Sequence, residues 1–330
     1  MHQPTDWQPA RVRALRTLSP TVREFELEPA GDVHPWTVGS HIQVRLAIEG
    51  RIDTRSYSLV GEPGEEVYRI AVKAVPASRG GSRAMWRLSA GDAIEVLAPQ
   101  NQFELSFAPP QSLLVAGGIG ITPLLGMALA LAARGADFSL CHAVRSRAER
   151  VYTQALAGRF GDRLKSFVSA DGARIDFDAL IAGLHAQGQL LLCGPLPMLE
   201  AARAAWTRAR RPAHLLRFET FGTGGTLAAQ AFWVRLPRHG IEIVVPPERS
   251  LLEALEAHGL EVLSDCRRGE CGLCALDVLE LHGSLDHRDV FLSEEQKRLG
   301  RRLCSCVSRV VGGGVVLDTD WRDDSAAARS

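Results

Sequence analysis

The chain carries no net charge: 38 Lys and Arg stand against 38 Asp and Glu over 330 residues. That balance argues against a nucleic-acid binder held by a general positive field. No apolar segment opens the sequence, because "MHQPTDWQPARVRAL" is polar and charged throughout, so no secretion signal is expected. The longest apolar run, "GITPLLGMALALAARGA", is too short and too punctuated by glycine to span a bilayer. Cysteine is scarce and odd in number, seven in all, with no secretion signal beside it. A disulfide framework is therefore not expected, and clustered thiols point to metal. There is no internal repeat. Together these absences predict a cytoplasmic protein with neither nucleic acid nor membrane as partner.

What is present is length for two or three domains and 46% hydrophobic residues to fill their cores. Residues 1–107 read as short alternating strands such as "SHIQVRLAI", "VYRIAVKAV" and "GDAIEVLAP", the pattern of an antiparallel barrel. Over 108–221, strands alternate with helices, which predicts a doubly wound parallel α/β domain. Helices are expected from Pro123 to about Arg134 and near 149–158, 176–186 and 197–209. Residues 222–230, rich in Gly, Thr and Ala, read as a linker. From 231 to 330 a hairpin, a helix opened by a capping box from Ser250 to Glu253, a cysteine loop and further strands make a small α+β domain.

Three cysteines crowd into "SDCRRGECGLCALDV" at Cys266, Cys271 and Cys274, a C-x4-C-x2-C run. Plant-type [2Fe–2S] sites use this spacing plus a distant fourth cysteine. Gly269 and Gly272 let the loop turn tightly and aim backbone N–H groups at sulfur. Zinc sites usually pair two C-x2-C knuckles, and this chain has one. Cys304 and Cys306 both qualify as the fourth ligand, since on one strand they would point the same way.

"VAGGIGITPLL" reads as a buried strand, a glycine turn at Gly118 and Gly120, and a helix with Thr122 at its N-cap and Pro123 at N1. "LLLCGPLPML" gives a second strand ending in Cys193, Gly194 and Pro195. Two such turns at the carboxyl ends of parallel strands favour a dinucleotide. In the first domain, "RSYS" sets a cation, an aromatic and a hydroxyl on one strand, and Gly80, Gly81 and Ser82 open a helix as a second anion site.

In order, R-x-Y-S-L, A-V-K, R-G-G-S, A-G-G-I-G-I-T-P, C-G-P, F-E-[ST]-F-G, C-x4-C-G-x-C, D-H-R-D and C-V-S-R resemble the phthalate dioxygenase reductase family, which includes the vanillate demethylase reductases. The resemblance spans nearly the whole chain. It implies a flavin-binding antiparallel β-barrel, a nucleotide-binding α/β domain and a C-terminal β-grasp-like ferredoxin domain. It further implies FMN, with Arg55, Ser56, Tyr57 and Ser58 at the flavin, Val72 and Lys73 beside its ring, and Gly80, Gly81 and Ser82 at its phosphate. Gly118, Gly120, Gly194, Pro195, Arg145 and Ser146 would hold the nucleotide. Ser58, Thr122 and Cys193 would lie nearest the chemistry, and Phe221 would cover the isoalloxazine. Ser56 departs mildly from the more usual Thr or Asn. The resemblance also selects Cys306 as the fourth ligand, because it opens C-V-S-R and Cys304 does not. Part of the extra length before Cys306 fits an insertion in a hairpin, "ALDVLELHGSLDHRD". The implied activity is electron transfer from NADH through FMN and the cluster to a terminal oxygenase of Rieske type. An FAD-containing reductase serving a di-iron oxygenase is the alternative. Arg147, near the expected ribose, keeps NADPH open. Arg267 and Arg268 read as solvated loop charges, with a docking role for an acidic partner as the competing reading.

Overall fold

Strict alternation of apolar and polar residues builds the first sheet. In β3 (His41–Ile48), Ile42, Val44, Leu46 and Ile48 turn inward while the residues between them face outward. It is joined by β1 (Gln8–Ser19), β2 (Val22–Pro29), β4 (Arg51–Ser58), β5 (Tyr68–Lys73) and β6 (Ala93–Gln100) in the order β4-β3-β6-β1-β2-β5. All these pairs are antiparallel. A single bridge between Leu59 and Ile70 ties the end of β4 to β5 and closes the sheet into a barrel. Helix α1 (Gly81–Arg87) drives Met85 into the barrel core. The computed structural model describes residues 7–48, 50–75, 80–221 and 227–319. The expected linker therefore lies largely outside the described residues.

The second sheet is parallel: β7 (Gln111–Gly117), β8 (Asp137–Val144), β9 (Leu164–Val168), β10 (Gln189–Cys193) and β11 (Leu216–Glu219), ordered β11-β10-β7-β8-β9. The chain runs outward from β7 to β9 and then returns to the other side of β7. The strand order thus reverses between β7 and β10, which is where doubly wound sheets open a ligand crevice. The connecting helices are α2 (Ile121–Ala133), α3 (Thr153–Phe160), α4 (Phe177–Ala182) and α5 (Leu196–Arg208). Helix α2 begins two residues earlier than the sequence suggests. A 3-10 turn over Gly118–Gly120 leads straight into it, so Thr122 sits inside the first turn and not at the N-cap. Leu124, Leu125 and Met127 of α2 share one core with Val22, Val60 and Phe103 of the barrel segment. Tyr152 donates to Glu24 at 2.6 Å, and the buried Glu24 also pairs with Arg16. Barrel and parallel sheet accordingly form one compact unit that ends at Glu219.

A separate unit begins at Thr220. Its strands β12 (Phe232–Leu236), β13 (Ile241–Val245), β14 (Ala275–Asp286), β15 (Arg302–Cys304) and β16 (Arg309–Asp318) are ordered β13-β12-β16-β14-β15. The first and last strands lie side by side and parallel, and the other pairs are antiparallel. Helix α6 (Leu251–Ala257) buries Leu251, Ala254 and Leu255 against that sheet, a β-grasp arrangement. Both halves of its capping box form. Helix α7 (Glu294–Leu299) precedes β15. The expected hairpin in "ALDVLELHGSLDHRD" is instead one strand of 12 residues with two register shifts. Gly283, at φ 102°, sits in the second shift, so its left-handed backbone makes a bulge and not a turn. Cys304 ends β15 and Cys306 lies beyond it, so the two are not equivalent positions of one strand.

Among the described residues, no helix is long and apolar enough to cross a membrane.

Candidate functional site

In the loop from Cys266 to Cys274, three residues take left-handed backbone: Arg267 at φ 51°, Gly269 at 77° and Gly272 at 75°. These reversals wrap the chain around Cys266, whose sulfur receives the backbone N–H groups of Arg268, Glu270 and Cys271, each at 3.4 Å. Neither glycine has room for a side chain. A Cβ on Gly269 would stand 2.6 Å from Val307 Cγ2 and 2.9 Å from Asp289 Cα, and one on Gly272 would enter the Phe291 ring.

The thiols fall into two pairs. Cys266 meets Cys271, and Cys274 Sγ lies 3.1 Å from Cys306 Sγ. Each pair stabilises one thiolate. Cys271 is drawn down to about 6, chiefly by its hydrogen bond with Cys266; Cys274 falls to about 3 through those with Cys304 and Cys306. Among the described residues, no three His, Cys, Asp or Glu converge as around a single ion. Paired thiols with backbone N–H groups aimed at sulfur fit a binuclear iron–sulfur cluster, which takes four cysteines in all. Cys304 also reaches Cys274. Two contacts distinguish Cys306: it receives the Gly269 N–H and feels the charge of Cys266, so it faces both pairs. Cys304 has the Asp289 carboxylate as its charged neighbour instead.

The motifs around the loop hold each other. Ser305 N and Oγ both donate to the Cys274 carbonyl, at 3.0 and 2.9 Å. The fully buried Asp289, from D-H-R-D, accepts Ser308 Oγ at 3.1 Å from C-V-S-R and the Leu292 N–H at 2.9 Å. Arg309 donates to the carbonyls of Gln230 and Pro246 at 3.0 and 2.9 Å. Arg268 corrects the expectation of a solvated charge: it is 9% exposed and pairs with Glu270 at 3.4 Å. Arg267 is half in solvent but bound to Glu256. Glu270 also accepts Thr220 N–H and Thr220 Oγ1, the latter at 3.1 Å, beside the exposed Phe221. The sequence reading missed Glu270, Asp289 and Ser308, for which only the quoted motifs were a signal.

In the first unit, the turns after β7 and β10 are pressed together. A Cβ on Gly117 would lie 2.5 Å from Pro195 Cδ, and one on Gly120 would enter the Cys193 carbonyl. Glycine there lets the two strand ends meet backbone to backbone, at the reversal of strand order where such sheets bind ligands. Thr122 Oγ1 donates to the Ile119 carbonyl at 2.9 Å and so braces the turn from within. At the exit of β8, Arg145 is exposed, Ser146 accepts the Glu149 N–H through its carbonyl, and Arg147 pairs with Asp171 at 2.8 Å.

In the barrel, Arg55 folds across the start of α1. A Cβ on Gly81 would fall 2.7 Å from Arg55 Nε, so guanidinium and helix start form one positive corner, with Asp53 2.7 Å from Arg55 Nη1. Ser82 Oγ accepts the Val75 N–H at 3.3 Å. Tyr57 packs on the barrel core, and its burial pushes the phenol up. Val72 is also core, with its carbonyl taken by Trp86 Nε1 at 3.2 Å, while Lys73 reaches Glu149 at 3.3 Å. Ser56 lies on β4 opposite Gln43. Ser58 Oγ donates to Glu219 at 3.4 Å, and Glu219 is only 1% exposed. Glu219 is a further residue the sequence reading passed over, although it stands inside the quoted F-E-T-F-G.

A model of the 2Fe-2S iron-sulfur cluster binding domain matches residues 234–311. The chain is 37% identical over 316 residues to the heme-dependent oxidative N-demethylase beta subunit of Ectopseudomonas mendocina, covering 93% of this chain and 97% of that one. It is 38% identical over 314 residues to the phenoxybenzoate dioxygenase subunit beta of Ectopseudomonas oleovorans, covering 93% and 96%. Among solved structures it resembles phthalate dioxygenase reductase, described as modular for electron transfer from pyridine nucleotides to [2Fe-2S]. That match has a TM-score of 0.79 and 30% identity over 96% of this chain and all of the other.

Proposed function

Because the chain belongs to the phthalate dioxygenase reductase family, we propose that it is the reductase component of a multicomponent oxygenase, drawing electrons from NADH and delivering them singly to a separate oxygenase. The observation that carries this reading is the pairing of Cys266 with Cys271 and of Cys274 with Cys306 in one glycine-turned loop. When bound, a flavin and a [2Fe–2S] cluster supply the conversion between a two-electron hydride donor and one-electron delivery.

The chain's own residues position and tune. Residues 1–107 form the flavin domain, where Arg55 with Gly80, Gly81 and Ser82 receives the FMN phosphate and Ser56, Tyr57, Ser58, Val72 and Lys73 border the ring. Residues 108–221 form the nucleotide domain, in which Gly118, Gly120, Gly194 and Pro195 admit the pyrophosphate and Arg145 and Ser146 meet the ribose. Thr122, Cys193 and Ser58 stand nearest the nicotinamide, and Phe221 covers the flavin. Residues 231–330 carry the cluster on Cys266, Cys271, Cys274 and Cys306. Arg147, tied to Asp171, favours NADH over NADPH, since a 2′-phosphate there would meet a carboxylate.

The partner is proposed to be a Rieske-type oxygenase, in keeping with the dioxygenase relatives. The 37% identity to a heme-dependent N-demethylase subunit supports a heme oxygenase as the second reading. Acid release of the flavin followed by chromatography is expected to yield FMN, and recovery of FAD would overturn the flavin assignment. Glu219→Gln tests the buried carboxylate beside Ser58. It is expected to slow NADH-dependent flavin bleaching in stopped flow by about tenfold, or ~1.4 kcal/mol, with flavin content and cluster absorbance unchanged. Bleaching at the wild-type rate would remove Glu219 from the site.

A further inference from the structure

We propose that His142 is a positioning residue that aims the dinucleotide-binding turn, holding the Gly118 carbonyl so that the N–H of the same peptide faces the crevice. The inference rests on the dinucleotide reading above. His142 lies on β8 in register with Ala116 of β7 and is 0% exposed. Its Nε2 stands 3.0 Å from the Gly118 carbonyl and its Nδ1 2.9 Å from Thr153 Oγ1.

The tautomer follows from chemistry. A carbonyl only accepts, so Nε2 carries the proton and donates. Nδ1 is then the acceptor, and the Thr153 hydroxyl donates to it, its other neighbour being the Val151 carbonyl at 3.4 Å. Burial, only partly opposed by the Gly118 hydrogen bond, lowers His142 to about 4, with the Arg150 charge acting in the same direction as burial. At neutral pH the ring is therefore an uncharged, one-way donor.

The consequence runs through peptide planarity. No cis peptide occurs among the described residues, so in the Gly118–Ile119 unit the N–H points opposite to the C=O. Sheet order places β8 on one side of β7 and β10 on the other. A carbonyl drawn toward His142 on β8 sends the Ile119 N–H toward β10, where Gly117 and Gly120 meet Pro195 and Cys193. A Cβ built on Gly118, at φ 55°, would meet nothing within 4 Å, so no side-chain packing fixes this peptide. Its carbonyl accepts the Ile121 N–H that closes the 3-10 turn, and His142 supplies the hydrogen bond from β8 that draws it to that side. An N–H aimed in this way suits a pyrophosphate oxygen. His142 touches no substrate; it acts through the turn.

The test is calorimetric titration of the full-length, cofactor-loaded protein with ADP-ribose, which carries the pyrophosphate but undergoes no hydride transfer. His142→Ala is expected to weaken ADP-ribose binding about tenfold or more. His142→Gln, whose amide can donate from the Nε2 position, is expected to stay within about threefold of wild type. The KM for NADH should move in parallel, with kcat for saturated flavin reduction nearly constant. Should His142→Ala not fold, His142→Leu replaces it, since leucine fills the buried space of the ring but offers no donor to the Gly118 carbonyl; it too should weaken binding. Wild-type affinity in His142→Ala or His142→Leu, or equal weakness in the glutamine and alanine variants, overturns the proposal. Failure of the wild-type protein itself to bind ADP-ribose would sink the dinucleotide reading instead, and the two failures are distinct.

Discussion

Cys306→Ser is expected to abolish the visible absorbance of the [2Fe–2S] cluster while NADH still bleaches the flavin, and Cys304→Ser is expected to keep both. The reason is position along the loop. Cys306 touches Cys274, receives the Gly269 N–H and feels Cys266, so removing it breaks one thiol pair and the link to the other. The bond to Cys274 and burial push both thiols up, so the difference is one of neighbours: Cys304, at the end of β15, has the Asp289 carboxylate beside it where Cys306 has Cys266 and the Gly269 N–H. Flavin bleaching survives in the cysteine variants because barrel and parallel sheet share a core within a unit that ends at Glu219. Iron content and absorbance of the two purified variants decide the matter. A normal cluster in Cys306→Ser together with a lost one in Cys304→Ser reverses the ligand assignment.

The barrel strands could be read from alternation and from the regular spacing of turn residues, because a strand with one face on a core must repeat every second residue, whereas β7 and β10 read as unbroken apolar runs because both faces of the parallel sheet are covered. The ends of elements were harder. Thr122-Pro123 has the look of an N-cap and N1, yet the preceding glycines curl into a 3-10 turn and the helix starts at Ile121. Proline remains tolerable there because first-turn N–H groups have no intrahelical acceptor. "ALDVLELHGSLDHRD" reads as a hairpin, but pairing with β16 on both sides of Gly283 makes it one bulged strand. Charge was the least legible quantity. Arg268 beside a cysteine in a loop reads as solvated, but the folded loop buries it and turns Glu270 onto it, with Thr220 bound to the same carboxylate. His142 and Glu219 escaped for the same reason: each is a buried polar residue whose partner lies on a different element.

Gly120→Ala is expected to raise the KM for NADH on the order of a hundredfold, the scale associated with about 1 Å of misplacement, while the cluster loads normally. The backbone at Gly120, φ −61°, would accept alanine in open space, so conformational preference is not the obstacle. The obstacle is the Cys193 carbonyl, which the new methyl group would enter, with Cys193 Sγ a further 3.2 Å neighbour. Both sides of this contact are main chain at the ends of adjacent parallel strands, so neither can move aside as a flexible side chain would. Relief requires the β7 and β10 turns to part, widening the crevice that the dinucleotide must bridge. Overpacking of this kind costs roughly 1–3 kcal/mol of stability, and a melting curve will register it. Gly135→Ala separates the two effects. Gly135 takes a left-handed backbone at φ 64° just past α2 but has open space around it. Alanine there carries left-handed strain of about 1 kcal/mol with no clash at the crevice. Comparable losses of stability in the two variants, with nucleotide affinity falling only in Gly120→Ala, are the expected result. An unchanged KM in Gly120→Ala would mean that the paired glycine turns do not form the nucleotide site.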